Sequence, residues 1–82
     1  MAAESSSVEQ AVSRALRDNL TRLQSTAEEL NQAVADMVAA CASSRPTNAL
    51  PPMLRAQTAA ASLAAALEVL SRFVTEIGRA HV

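Results

Sequence analysis

Few residues in this chain carry side chains able to do chemistry. Cys41 is the single cysteine and His81 the single histidine. A histidine acting as metal ligand needs other Cys, His or carboxylate ligands at coordinating spacing, and His81 has none nearby that form such a set. Cys41 closes a row of apolar positions at the end of a helical segment. It therefore reads as a small buried hydrophobe rather than a nucleophile or redox switch. Glu28 and Glu29 are adjacent, so on a helix they diverge and cannot face each other as general acid and base; they read as part of a solvated face. Ser5, Ser6 and Ser7 could accept phosphate, which would favour a helix N-terminus, but helix capping explains them without a further assumption. The chain has no Gly-rich phosphate loop and no nucleophile elbow. No catalytic, cofactor-binding or metal residue is expected, and the sequence reads as non-enzymatic.

The last seven residues, Glu76-Ile77-Gly78-Arg79-Ala80-His81-Val82, resemble a translated sequencing adapter. On that reading residues 76–82 are a non-native tail, and the native chain is the N-terminal part of a longer protein that continues past Thr75. The tail holds the only glycine, Gly78, which with Arg79 imitates a helix C-cap with a cation in the last turn.

Composition sets the fold class. Half of the residues are apolar, yet Phe73 is the only aromatic and much of the total is alanine. Outside the tail there is no glycine, and proline occurs only at Pro46, Pro51 and Pro52. Strong helix formers around one proline cluster predict helix, breaker, helix. Alternating β-branched and aromatic runs are absent, so strands are not expected. The formal net charge is −1, without a basic patch, which removes the electrostatic footprint of a nucleic-acid binder. A single cysteine implies no disulfide framework. The acidic, polar N-terminus lacks the apolar core of a signal peptide. Residues 56–74 are apolar on average, but Gln57, Glu68 and Arg72 interrupt them, and no membrane span is expected. The expected location is cytoplasmic or nuclear rather than secreted.

The elements follow from capping and breaking signals. Residues 1–6 read as a flexible N-terminus. Ser6-Ser7-Val8-Glu9 fits a capping box, with Ser7 and Gln10 as an alternative frame. The first helix is predicted over about 8–42, roughly 50 Å at 1.5 Å per residue. Its apolar seam steps by four and three: Leu16, Leu20, Leu23, Ala27, Leu30, Val34, Met37 and Cys41. Val12 and Val38 widen the stripe at its ends. A loop is predicted over about 43–51, with Pro51 or Pro52 in the first turn of the next helix. Leu50, held extended by Pro51, is placed as a hydrophobic staple.

The second helix is predicted over about 52–75. Met53, Ala56, Ala60, Leu63, Leu67, Leu70 and Val74 repeat the same spacing, and Ile77 continues it. Ala59, Ala66, Val69 and Phe73 form a second stripe left for other helices. The pairs Asp18–Arg22 and Glu68–Arg72 are spaced for i,i+4 ion pairing. The whole predicts an all-α antiparallel hairpin with coiled-coil-like heptad seams, its core too thin to be complete and so part of a larger helical bundle.

An Ala-rich hairpin of this size is similar to the secreted WXG-type and PE-type bacterial proteins, but Ser44-Arg45-Pro46-Thr47-Asn48 carries no Trp-x-Gly turn. The heptads resemble, at the level of class, N-terminal coiled coils of vesicle-tethering, cytoskeletal and Mediator-like complex subunits. The expected function is a non-catalytic protein–protein interaction or scaffold segment of a larger complex subunit. The alternative is a dimerisation or sensor helix pair serving a regulatory or catalytic domain further along the chain. The expected interaction residues are Leu16, Leu20, Leu23, Leu30, Val34, Met37, Leu63, Leu67, Leu70, Val69 and Phe73. Expected partners are other helical segments, from the same polypeptide, from partner subunits or from a second copy; cofactors, nucleic acid and a membrane span are not expected.

Overall fold

The computed structural model describes the backbone of residues 2–80 and the side chains of residues 7–79. His81 lies outside these residues. Two long helices, α1 (Ala2–Ala40) and α2 (Leu50–Ala80), form an all-α hairpin, with a short 3₁₀ turn at Pro46–Ala49 between them. No strand occurs among the described residues. The hairpin is a slab with Cα extents of 67 × 18 × 12 Å. Its radius of gyration, 18.9 Å, far exceeds the roughly 12 Å of a compact chain this long.

Helix α1 starts well ahead of Val8. Its backbone is already helical at Ala2, so neither Ser6 nor Ser7 stands at the helix start. No glycine or proline interrupts this N-terminal stretch, and the capping box is overridden by helix propensity. The C-terminal end tightens instead of extending to residue 42. The Cys41 N–H donates to both Met37 O and Val38 O, and the Ala42 N–H to Ala39 O, the narrowed last turn by which helices satisfy their final carbonyls.

The connection is organised by one hydroxyl. Ser43 Oγ accepts hydrogen bonds from the Arg45 N–H at 3.2 Å and from Asn48 Nδ2 at 2.9 Å. Arg45 is extended (φ −111°, ψ 102°), as the residue before proline prefers. Pro46 opens the 3₁₀ turn, and Pro51 and Pro52 occupy the first turn of α2, where missing N–H donors cost little. Leu50 departs from its expected role. It is helical (φ −63°, ψ −49°), donates its N–H to Thr47 O and is exposed. The 3₁₀ turn feeds directly into α2, which leaves no extended residue to act as a staple.

At the other end α2 runs through Gly78 to Ala80. Gly78 has no positive φ, and a Cβ placed there would meet nothing within 4 Å. It is therefore an interior helical residue and not the C-cap that its pairing with Arg79 suggests.

Candidate functional site: an exposed apolar face

Burial shows which faces of the two helices meet. On α1 the half-buried and buried residues are Leu16, Leu23, Thr26, Leu30, Ala33, Met37 and Ala40, with Val12 nearer the open end and Asp36 at the flank. On α2 they are Pro52, Ala56, Ala59, Leu63, Ala66, Leu70 and Ile77. Ala33 is the most deeply buried, at 1 % exposure. Each set contains one row of large residues repeating every seven positions, flanked by a row of small ones.

The large rows agree with the spacing read from sequence; their companions do not. With about 100° per residue, Leu20, Ala27, Val34 and Cys41 lie about 40–60° to one side of the Leu16–Leu23–Leu30–Met37 row. Thr26, Ala33 and Ala40 lie about 40–60° to its other side. The hairpin closes on the second group. On α2 it likewise closes on Pro52, Ala59 and Ala66 rather than on Met53, Ala60, Leu67 and Val74. Small residues let the two backbones approach, and each Leu then packs beside Ala.

Ala59 and Ala66, expected on a free second stripe, are thus inside the hairpin, whereas their expected companions Val69 and Phe73 are exposed. Cys41 is exposed in the turn after α1 and not a buried hydrophobe. Of the expected interaction residues, Leu16, Leu23, Leu30, Met37, Leu63 and Leu70 face the partner helix. Leu20, Val34, Leu67, Val69 and Phe73 face outwards.

The two edges of the slab differ in chemistry. On one, Arg55 Nη2 donates to Asp36 Oδ2 at 2.9 Å, tying α2 to α1. The hydrogen bond from Arg55, and a second from Gln32 Nε2 at 3.0 Å, hold the Asp36 carboxyl below its ordinary pKa. Two shallow grooves between the helices lie on this edge and mix charged with apolar side chains, Glu29, Gln32 and Arg55 with Leu54 in one and Asn19 and Arg22 with Ala66 and Val69 in the other. Asp36 and Arg55 each precede a row residue, Met37 and Ala56, by one position. Because the helices run in opposite directions, equivalent flanks of the two lie on the same side of the pair.

The opposite flank therefore brings Leu20, Ala27 and Val34 of α1, with Cys41 just past its end, to the same side as Met53, Ala60, Leu67 and Val74 of α2. The five large apolar residues of this face are 42–50 % exposed. Val38 and Leu50, more exposed still, extend it towards the connection. Among residues 13–74 at the positions pointing this way, Arg17 is the only charged one. Sequence periodicity found every residue of this face, but assigned it to the interior.

Other chemistry is sparse. Among the described residues no group of three or more His, Cys, Asp or Glu is placed to hold a metal ion. The i,i+4 pair Arg72–Glu68 is closed at 2.6 Å, and Arg79–Glu76 at 3.3 Å. Asp18 and Arg22 do not close the ion pair that their spacing allows. Glu28 and Glu29 are both exposed. Helical residues Pro46–Arg79 are long and apolar enough by composition to cross a membrane. Alanine supplies much of that apolarity, and only residues 56–67 separate Arg55 from Glu68, a length of about 18 Å against a hydrocarbon core of about 30 Å.

No protein-family model, curated protein or solved structure matches the chain.

Proposed function

We propose that this protein is a non-catalytic helical interaction module. The hairpin acts as one half of a helical bundle with a coiled-coil-like internal seam, and its outward apolar face docks further helices. These come from the rest of a longer polypeptide or from partner subunits, as in a scaffold segment of a complex. The observation that carries this reading is the inversion of size across the hairpin. Beside the inner Leu16–Leu23–Leu30–Met37 and Leu63–Leu70 rows the interior is completed by small residues, while Leu20, Val34, Met53, Leu67 and Val74 are left together outside. Contiguous apolar faces of this kind mark interaction surfaces, and row-on-row apolar packing is how helices recognise one another.

The area agrees. The chain exposes 6391 Å², whereas a compact monomer of 8.6 kDa exposes about 4,700 Å². The difference, about 1,700 Å², is about twice the roughly 800 Å² that one partner contributes to a standard interface.

The test is a Leu20→Asp, Leu67→Asp double variant in cells, cross-linked in place alongside the unaltered protein. The variant is expected to keep its helical circular dichroism and lose the cross-linked helical partners. Partners that persist unchanged in a folded double variant would sink this reading.

A further inference from the structure

We infer that the occupant of the apolar face is a second copy of this chain, packed face to face with its connection at the opposite end, to form a four-helix bundle. This rests on the reading of the face as a docking surface and adds the identity and orientation of what docks. Three observations carry it.

The first is area. The face between residues 13 and 74 runs about 42 Å along α1 at 1.5 Å per residue and spans the 18 Å width of the slab, about 750 Å² in projection, comparable with the roughly 800 Å² per partner of a stable protein pair. The second is charge. With Arg17 as the one charge pointing this way between residues 13 and 74, the face meets its own image without like-charge repulsion, and a two-fold contact must be complementary to itself.

The third is the order of sizes along the face. From the connection outward its layers are Val34 with Met53, Ala27 with Ala60, then Leu20 with Leu67. A two-fold axis crossing the face midway between the levels of Leu23 and Gln24 on α1, and of Leu63 and Ala64 on α2, sets each α1 antiparallel on the other. In the central layers Leu20 then lies on Ala27 of the second copy and Leu67 on its Ala60, large on small, as interdigitating layers require, while at the ends Val34 meets Ser13 and Met53 meets Val74. The same axis crosses near the middle of both helices, so the overlap is greatest. It also brings the Arg17 level within one residue of Asn31 and the Gln57 level within one residue of Ser71, giving the polar positions at the face partners across the contact. With both connections at one end, Leu20 would meet Leu67 and Ala27 would meet Ala60, leaving bulges and gaps.

Sedimentation equilibrium of the full chain tests the proposal, together with disulfide trapping in a Cys41→Ser background. The expected mass is twice 8.6 kDa, with association weakened about 100-fold or more in the Leu20→Asp, Leu67→Asp variant. Gln24→Cys lies beside the axis and is expected to cross-link with itself on oxidation. The native Cys41 residues stand about 50 Å apart and are not. A monomer at all concentrations overturns the self-pairing, while face-dependent partners in cells would leave the interaction-module reading intact. A dimer that cross-links only when Leu20→Cys chains are mixed with Leu67→Cys chains overturns the orientation.

Discussion

Replacing Ala33 with leucine separates the two possible interiors of this hairpin. Ala33 is 1 % exposed and belongs to the small-residue row against which α2 closes. Three added carbons have no free volume there, so either the helices part or neighbouring side chains leave their preferred rotamers. Overpacking of this kind costs about 1–3 kcal/mol. For a domain of this size each kcal/mol moves the thermal midpoint by roughly 4–8 °C, so a central cost of about 2 kcal/mol predicts a fall of roughly 8–16 °C. If the interior instead ran along Leu20, Ala27, Val34 and Cys41, Ala33 would stand well off the seam. The substitution would then stay within about 0.5 kcal/mol of neutral. The assay is thermal unfolding followed by far-ultraviolet circular dichroism at several protein concentrations, because association itself makes the midpoint concentration-dependent. Ala27→Leu is the companion variant, and its effect is confined to the concentration-dependent part of the midpoint. An Ala33→Leu protein that melts with the unaltered chain, beside an Ala27→Leu protein destabilised at every concentration, would refute the placement of the seam.

Truncating the large row should also sort inside from outside: Leu63→Ala is expected to cost about 1–3 kcal/mol, and Leu67→Ala under about 1 kcal/mol in the dissociated hairpin, measured by urea unfolding at high dilution. Gly78→Ala should stabilise α2 by about 0.5–1 kcal/mol, because the position is interior to the helix with open space for a Cβ; a fall in helicity would restore Gly78 as a cap. Since the folded-state pKa of Asp36 is lowered, its link to Arg55 contributes stability above the unfolded value of about 3.8 and loses it as pH falls through the lower folded value. In Asp36→Asn that acid-dependent component should be missing as pH falls below about 3.8, as seen in parallel pH–melting series. Exposed Cys41 is expected to react with a thiol reagent in the native state nearly as fast as in denaturant, and strong native protection would return it to the interior.

The seam shows what apolar periodicity carries and where it stops. Two helices, the break near Pro46 and the rows of Leu16, Leu23, Leu30 and Met37 and of Ala56, Leu63 and Leu70 were legible, because a seven-residue repeat fixes which line of a helix is apolar. Which neighbouring row completes the interface is a different matter. Leu20 and Val34 on one side and Ala33 and Ala40 on the other both satisfy alternating steps of three and four. Side-chain size favours the former; the distance between backbones favours the latter. A two-helix pair has no second layer to fill, so close approach across Ala33, Ala56 and Ala59 leaves less empty space than propping the helices apart on Leu20 and Leu67. Asp36 and Arg55 weigh the same way, since the small-residue seam puts these opposite charges together at 2.9 Å on one edge. The bulkier row therefore places the exposed apolar face inward and makes Ala59 and Ala66 look free. The signal that could have corrected it was present in the charges. Between Leu16 and Val74, Arg22, Glu29, Asp36 and Arg55 all sit one residue before a row residue, on the flank away from Leu20 and Leu67. A flank kept nearly free of charge along two helices, and studded with leucine and valine, is what a surface awaiting another helix requires.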